Sequence, residues 1–258
     1  MSAARRLTLI AALPAFATDA APQSLVTNGQ PPPLPGTNTG SEIQPAMDQT
    51  IFAHVLFNQL EGRWNGSNSE FRWDGQGWVG TDYDKFWIKS EGTLQGNGTL
   101  EDGQQQFLYS RAMTTYFDLQ GGLRSDIDSR PTRNWVAFGI QGLAPYFFDL
   151  EVTGFVSGEG HLAAKLDASY DFLLTQRLIL QPQVELNVYS KGDPARLVGA
   201  GFSDIDTGLR LRYEFGRKFA PYLGVVYEGK FGQTANFARQ AGESTGDVRF
   251  VFGVRLWF

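Results

Sequence analysis

The 258-residue sequence contains no cysteine, and only two histidines and three methionines. Without cysteine there is no disulfide framework, whatever compartment the chain occupies. With so few imidazoles and thioethers, any soft-metal site has few candidates. No window holds about 18 consecutive apolar residues, which excludes a membrane-spanning helix. Positive charge is not in excess either: 22 Lys and Arg stand against 27 Asp and Glu, a net charge of -5. Nucleic acid is therefore not an expected partner. What the chain does have is aromatic and small: 20 Phe, 9 Tyr, 6 Trp and 30 Gly.

The aromatics are patterned. Counting back from the carboxyl terminus, Phe258, Leu256, Val254, Phe252 and Phe250 are apolar, and Trp257, Arg255, Gly253, Val251 and Arg249 alternate with them. A strand sends successive side chains to opposite faces, so this segment has an apolar face and a face with two arginines. A terminal aromatic on such a strand suits the rim of an outer-membrane barrel, where it joins the interfacial girdle and closes the sheet against the first strand.

Three regions differ in composition. Arg5 and Arg6 precede the apolar run Leu7 to Phe16 and the small-residue site Ala15-Phe16-Ala17, so residues 1–17 read as a signal peptide. Residues 18–50 are rich in Pro, Gly, Asn and Gln, a composition that buries no core, and read as a disordered arm. Residues 51–258 show alternating runs of strand length broken by turn residues. These lie near 53–64, 69–81, 84–94, 103–113, 115–126, 132–143, 147–157, 161–173, 177–190, 202–215, 219–231 and 246–258.

Twelve such runs predict an all-β fold, a transmembrane up-and-down antiparallel barrel of about twelve strands with both ends on one side. Short connections fall near Asp82-Tyr83, Thr114, Ala144-Pro145-Tyr146, Thr175-Gln176 and Gly216-Arg217-Lys218. Longer ones, Gln95–Asp102, Lys191–Gly201 and Gly232–Thr245, fall in the opposite set. The short set is expected to face the periplasm together with the arm and the C-terminus. Asn65-Gly66-Ser67 and Asn97-Gly98-Thr99 match a glycosylation sequon but read as turn chemistry. Phe86, Trp87, Tyr116, Phe117, Tyr146, Phe147, Phe148, Phe172, Phe219 and Phe258 are expected at the periplasmic girdle. Trp64, Phe71, Trp73, Trp135, Tyr189 and Phe231 are expected at the outer one.

Alternation also assigns an interior. With Leu178, Leu180, Val184, Leu186 and Val188 facing lipid, Gln181, Gln183, Glu185 and Asn187 face inward. With Ile205, Leu209, Leu211, Tyr213 and Phe215 outside, Asp204, Asp206, Arg210, Arg212 and Glu214 are inside. Lys165, Asp167, Asp171, Asp149, Glu151, Glu228, Lys230, Arg249 and Arg255 complete the expected lining. The opposite parity would put these charges into hydrocarbon at roughly 2–4 kcal/mol per Arg or Lys near the midplane. Two readings of the lining compete: opposite charges that pair and fill a narrow barrel, and carboxylates that line a cation path.

Catalytic readings fare worse. Ser157, His161 and Asp167 are near in sequence, but a nucleophile, base and orienting acid need mutual geometry that a loop neighbourhood does not supply. Asp204 and Asp206 share a face simply because their spacing is two. No catalytic residue is expected.

Several segments carry a family resemblance: Phe57-Asn58-Gln59-Leu60-Glu61, Gln76-Gly77-Trp78-Val79-Gly80, Lys85-Phe86-Trp87-Ile88-Lys89 and Leu108-Tyr109-Ser110-Arg111. Further on come residues 137–146 (AFGIQGLAPY), residues 174–182 (LTQRLILQP), residues 208–214 (GLRLRYE) and Phe219-Ala220-Pro221-Tyr222. In this order, over about residues 51–258, the chain resembles the copper resistance protein B family. The resemblance implies an outer-membrane protein of copper resistance and homeostasis, a copper ion as ligand, outer-membrane lipid around it and periplasmic copper-handling proteins as partners. A small-solute diffusion channel and, less well, a barrel hydrolase are the alternatives. Family members often carry a Met- and His-rich arm, and here the chain departs, because its arm offers Met47. Met47, His54 and Met113, all at the expected periplasmic end, are the candidate copper ligands, with Met47 and His54 the better pair and His161 stranded opposite. Thioether and imidazole together favour Cu(I).

Overall fold

A computed structural model describes residues 50–216 and 218–258. The expected signal peptide, arm and Met47 lie outside these residues. The described chain is an antiparallel barrel in which each strand pairs with the next and the last closes on the first. The strands are β1 (Phe52–Trp64), β2 (Ser69–Gly80), β3 (Asp84–Gln95), β4 (Leu100–Ala112), β5 (Phe117–Asp126), β6 (Arg133–Ala144) and β7 (Phe148–Ser157). They continue as β8 (Leu162–Ser169), its short prolongation β9 (Phe172–Leu173), β10 (Leu178–Tyr189), β11 (Gly201–Tyr213), β12 (Phe219–Lys230) and β13 (Gly246–Trp257). Because β8 and β9 both pair with β10, they form one stave, and the barrel has twelve. The twelve runs of alternating sequence correspond to these staves to within a few residues.

Closure is made by backbone. Leu56 pairs with Trp257 and Trp64 with Phe250, and the Phe258 and Val55 peptides exchange hydrogen bonds of 3.1 and 2.9 Å. Among the described residues each strand pairs on both sides except the two-residue β9, which pairs with β10 alone, so the barrel is closed as hydrocarbon requires.

The alternation sorts side chains to two faces. Along β13, Phe250 and Phe252 are exposed while Val251 is buried, and along β6 Val136 and Phe138 are exposed while Trp135 and Ala137 are buried. Exposed Leu, Val, Ile and Phe side chains form the outer belt that lipid would cover.

One end carries both β1's start and β13's end, and its connections are short. Three of them use the same device: the hydroxyl of Thr81, Thr114 or Thr175 accepts the backbone N–H three residues on. In the turn from β6 to β7, Tyr146 and Phe147 adopt φ of 68° and 65°, pointing two aromatic rings outward where only glycine or asparagine is comfortable. At the opposite end Asn65 and Asn97 accept backbone N–H groups two residues on, and Gly66 and Gly98 take φ of 96° and 86°. Both sequon-like triplets are tight turns.

Gly232–Thr245 is long, as expected, and its residues Gly232–Ala241 form a helix, α1, ended by Gly242 at φ 77°. Two expectations need correction. Gln95–Asp102 is not a long loop: Asn97 and Gly98 make the reversal so tight that β4 already begins at Leu100. Trp87, Trp135 and Tyr189 are not girdle residues, because they share strand parity with Lys89, Ala137 and Asn187 and so face the interior. There Trp87 and Trp135 pack with Leu108, Ala137 and Phe155 in an apolar cluster flanked by Tyr189.

Parity can be tested on β10 and β11. Leu209→Lys places a charge on the exposed belt and should cut folded, heat-modifiable barrel in membranes sharply, at roughly 2–4 kcal/mol near the midplane. Asn187→Lys, placed inside between Glu185 and Asp204, should assemble at the normal level. Equal assembly of both variants would remove the assigned register.

Candidate functional site: the ion-paired lumen

The interior is where the chemistry lies, and a β-bulge in β1 sets it up. Pairing with β2 shifts register between Phe57 and Gln59. Asn58 and Gln59, adjacent in sequence, therefore both face the lumen. Before the bulge His54 and Leu56 share the inner face, and after it Glu61 and Arg63 do. Without that extra residue Glu61 would point into lipid.

Glu61 is fully buried and accepts from three residues. Arg210 Nε and Nη2 donate at 3.0 and 2.9 Å, Arg63 Nε at 2.8 Å and the Tyr222 hydroxyl at 2.9 Å. Gly253 of β13 lies beneath; a Cβ there would fall 2.7 Å from the Tyr222 ring and 2.7 Å from Glu61 Cβ. The missing side chain lets β1 reach across β13 to β12 and β11. Arg63 extends the network to Asp206 at 2.6 Å and to Glu228.

Arg249 pairs with Glu70 and, at 3.3 Å, with Glu228. Arg212 pairs with Asp171 at 2.7 Å and lies 3.9 Å from Glu214. Lys230 pairs with Glu243 at 2.7 Å, and Asn187 donates to Asp204 at 2.7 Å.

Two cavities share the lumen. One of about 750 Å³ lies at the long-loop end, roofed in part by α1 through Thr234 and Ala238. The Thr234 hydroxyl accepts from Gly199 N–H and meets the Ser203 hydroxyl at 3.0 Å, which ties the helix to the 190–200 loop. Arg196 holds that loop to the β5–β6 connection by pairing with Asp128 at 2.7 Å. The other cavity, about 320 Å³, lies toward the short-turn end, where Asp167 and Arg255 line it.

Arg72, Glu91 and Glu185 line both cavities and form the septum between them. Arg72 pairs with Glu185 at 2.9 Å, and Lys165 bridges Glu91 at 2.6 Å and Glu185 at 3.3 Å. Since β2 and β3 stand across the barrel from β8 and β10, these bridges cross the bore. Lys165, Glu185 and Arg210 lie inside as expected, whereas Glu61 and Arg63 of β1, and Arg72 and Glu91 of the septum, are the residues the sequence reading did not single out. Their signal was the broken alternation at Asn58-Gln59, and on β2 and β3 the charges Arg72, Lys89 and Glu91 at spacings of two.

The soft ligands do not converge. His54 faces the lumen at the short-turn end, its ring 6.2 Å from Trp78, which continues to Trp87 at 6.1 Å. Met113 is exposed just past β4, three strands from β1, and no contact joins it to His54. His161 lines the larger cavity, while Asp167 lines the smaller, so Ser157, His161 and Asp167 form no catalytic group. Among the described residues no three His, Asp or Glu side chains come together to hold a metal directly.

Comparison with known proteins agrees with the barrel and narrows its kind. Residues 51–258 match the family described as copper resistance protein B precursor. "Copper resistance protein B" of Escherichia coli is 44% identical over 211 residues, 82% of this chain and 71% of that one. "Copper resistance protein B homolog" of Pseudomonas syringae pv. tomato is 42% identical over the same shares. Among solved structures, the NanC porin superposes with a TM-score of 0.50 at 13% identity, over 80% of this chain and 99% of that one. That last likeness concerns fold alone.

Removing one partner of a buried ion pair strands the other, at about 3–5 kcal/mol. Glu61→Leu should therefore lower the denaturant midpoint of the refolded barrel strongly, because Arg210 and Arg63 lose their shared acceptor. Glu214→Leu, 3.9 Å from Arg212 and a third exposed, should change it little, within the 0–1 kcal/mol of exposed pairs. Equal effects would show that Glu61 is not the centre of the network.

Proposed function

This chain belongs to the copper resistance protein B family, and on that premise we propose that it acts in copper resistance as an outer-membrane barrel that binds copper ions and passes them between its two cavities. The observation that carries the reading is the lumen itself: polar, rich in carboxylates, and divided by ion pairs where Arg72, Glu91 and Glu185 meet both cavities. A bore crossed by such bridges favours a narrow ion route over a general diffusion channel. The apolar outer belt favours a membrane location, and short turns beside the termini favour a periplasmic position for that end.

At that mouth His54 is the described imidazole facing the lumen, and Met47 precedes it by seven residues. The pair would supply a thioether and an imidazole, a donor set suited to Cu(I). Copper would be received there from a periplasmic carrier. Met113, exposed on the same rim, is the weaker third ligand.

Two measurements test this. A strain lacking the protein should lose copper tolerance, and the full-length chain should restore it. In a Cu(I) titration, Met47→Leu/His54→Ala should lose one bound ion or bind it about tenfold more weakly. Unchanged stoichiometry and affinity would sink the mouth site, and a large, unselective conductance in planar bilayers would favour the diffusion channel.

A further inference from the structure

The smaller cavity has a charge balance that its own side chains do not close. Its lining includes Lys89, Lys165 and Arg72, and each is matched: Lys89 to Glu151 at 2.7 Å, Lys165 to Glu91, and Arg72 to Glu185. That leaves Asp74, Asp149 and Asp167 against Arg255, an excess of two negative charges among the described residues. Asp74 receives one hydrogen bond, from Asn58 at 2.9 Å, and Asp167 one, from Gln183 at 2.9 Å. Neither takes part in an ion pair among the described residues.

An independent observation comes from Gln59, which lines the same chamber and is 3% exposed. Gln183 gives its Nε2 to Asp167, so its Oε1 faces Gln59 and Arg210. Gln59 must therefore present its Nε2 to that oxygen, at 2.7 Å, and its own Oε1 is left buried with no donor. The hydrogen-bond chain fixes this amide with its acceptor spare. A buried acceptor without a donor, beside uncompensated carboxylates, is what a cation site presents before the cation is bound.

We propose that this chamber is a site for a hydrated divalent cation, held between Asp74 and Asp167 with Gln59 Oε1 as a neutral oxygen. Among the described residues no three acidic or imidazole groups converge, so the ion keeps its water. At about 320 Å³ the chamber has room for an ion with roughly six waters of about 30 Å³ each. Its donors are carboxylate and amide oxygens, with no Met or His in the lining. Hard oxygen selects hard or borderline divalent ions over Cu(I). If copper is the ion that crosses, as the function proposed above has it, this chamber admits copper that arrives as Cu(II) and passes over Cu(I).

Mn²⁺ tests the chamber without invoking copper. In the refolded full-length protein, Mn²⁺ should broaden the side-chain amide resonances of Gln59 and Gln183. In Asp74→Asn/Asp167→Asn the midpoint should move at least about tenfold higher. Both substitutions are isosteric and keep an acceptor for Asn58 and Gln183, and an unchanged backbone amide spectrum verifies the fold. Excess Ag⁺, a soft stand-in for Cu(I), should not reverse the broadening. Met47→Leu/His54→Ala should retain the effect, so the mouth and the chamber are judged separately. No broadening, equal broadening in the Asp variant, displacement by Ag⁺, or loss in the mouth variant would each overturn the assignment; the first would leave protons as the charges that balance Asp74 and Asp167.

Discussion

The carboxylate of Glu61, gripped by Arg210, Arg63 and Tyr222, clamps the seam where the first and last strands meet. The backbone hydrogen bonds between β1 and β13 close the barrel, and this cluster ties the same seam from inside by reaching over β13 to β12 and β11. Three local features have to be right for it to exist. The bulge at Asn58 turns Glu61 inward, Gly253 leaves the space, and Asp206 and Glu228 take the remaining charge of Arg63. A buried ion pair adds little net stability over apolar packing, but once present it tolerates no loss of a partner. The cluster therefore acts as a constraint on the whole interior.

The rest of the lumen is organised around that constraint. One wall, from β3 to β7, is filled by Trp87, Leu108, Trp135, Ala137 and Phe155. The same wall also carries Lys89, Glu91 and Glu151, and the Lys165–Glu91 and Arg72–Glu185 bridges cross the bore. A twelve-stave barrel filled in this way leaves two chambers and a polar septum. The same polar crowding that rigidifies the barrel also decides what could move through it. An apolar or bulky solute would meet ion pairs that cross the bore, Lys165 with Glu91 and Glu185 and Arg72 with Glu185 and Asp206.

The alternation of Phe250, Phe252 and Val254 with Arg249, Val251 and Arg255 determined, from sequence alone, that β13 separates an apolar face from a polar one. The same rule gave the twelve staves, the short and long ends, and the inward parity of Glu185, Asp204, Asp206 and Arg210. It works because hydrocarbon makes the wrong parity costly for every strand independently, so each strand can be read without knowing its neighbours. The Asn-Gly turns were legible for a similar reason: their chemistry is local.

Tertiary structure decided what depends on neighbours. Trp87 and Trp135 read as girdle residues by type, yet parity shared with charged or small neighbours turns them inward, and only packing against Phe155 and Leu108 shows why an aromatic is wanted there. The bulge at Asn58 breaks the alternation by one residue, and the sequence marks it only as two adjacent polar side chains. Which carboxylates find a cation and which do not is likewise undecided along the chain. Glu91 and Asp74 are both inward acids on adjacent strands, but Lys165, five staves on from Glu91 in sequence order, reaches the first and leaves the second. Charge balance in the chamber is a property of side chains converging from opposite walls, and a one-dimensional pattern has no term for it.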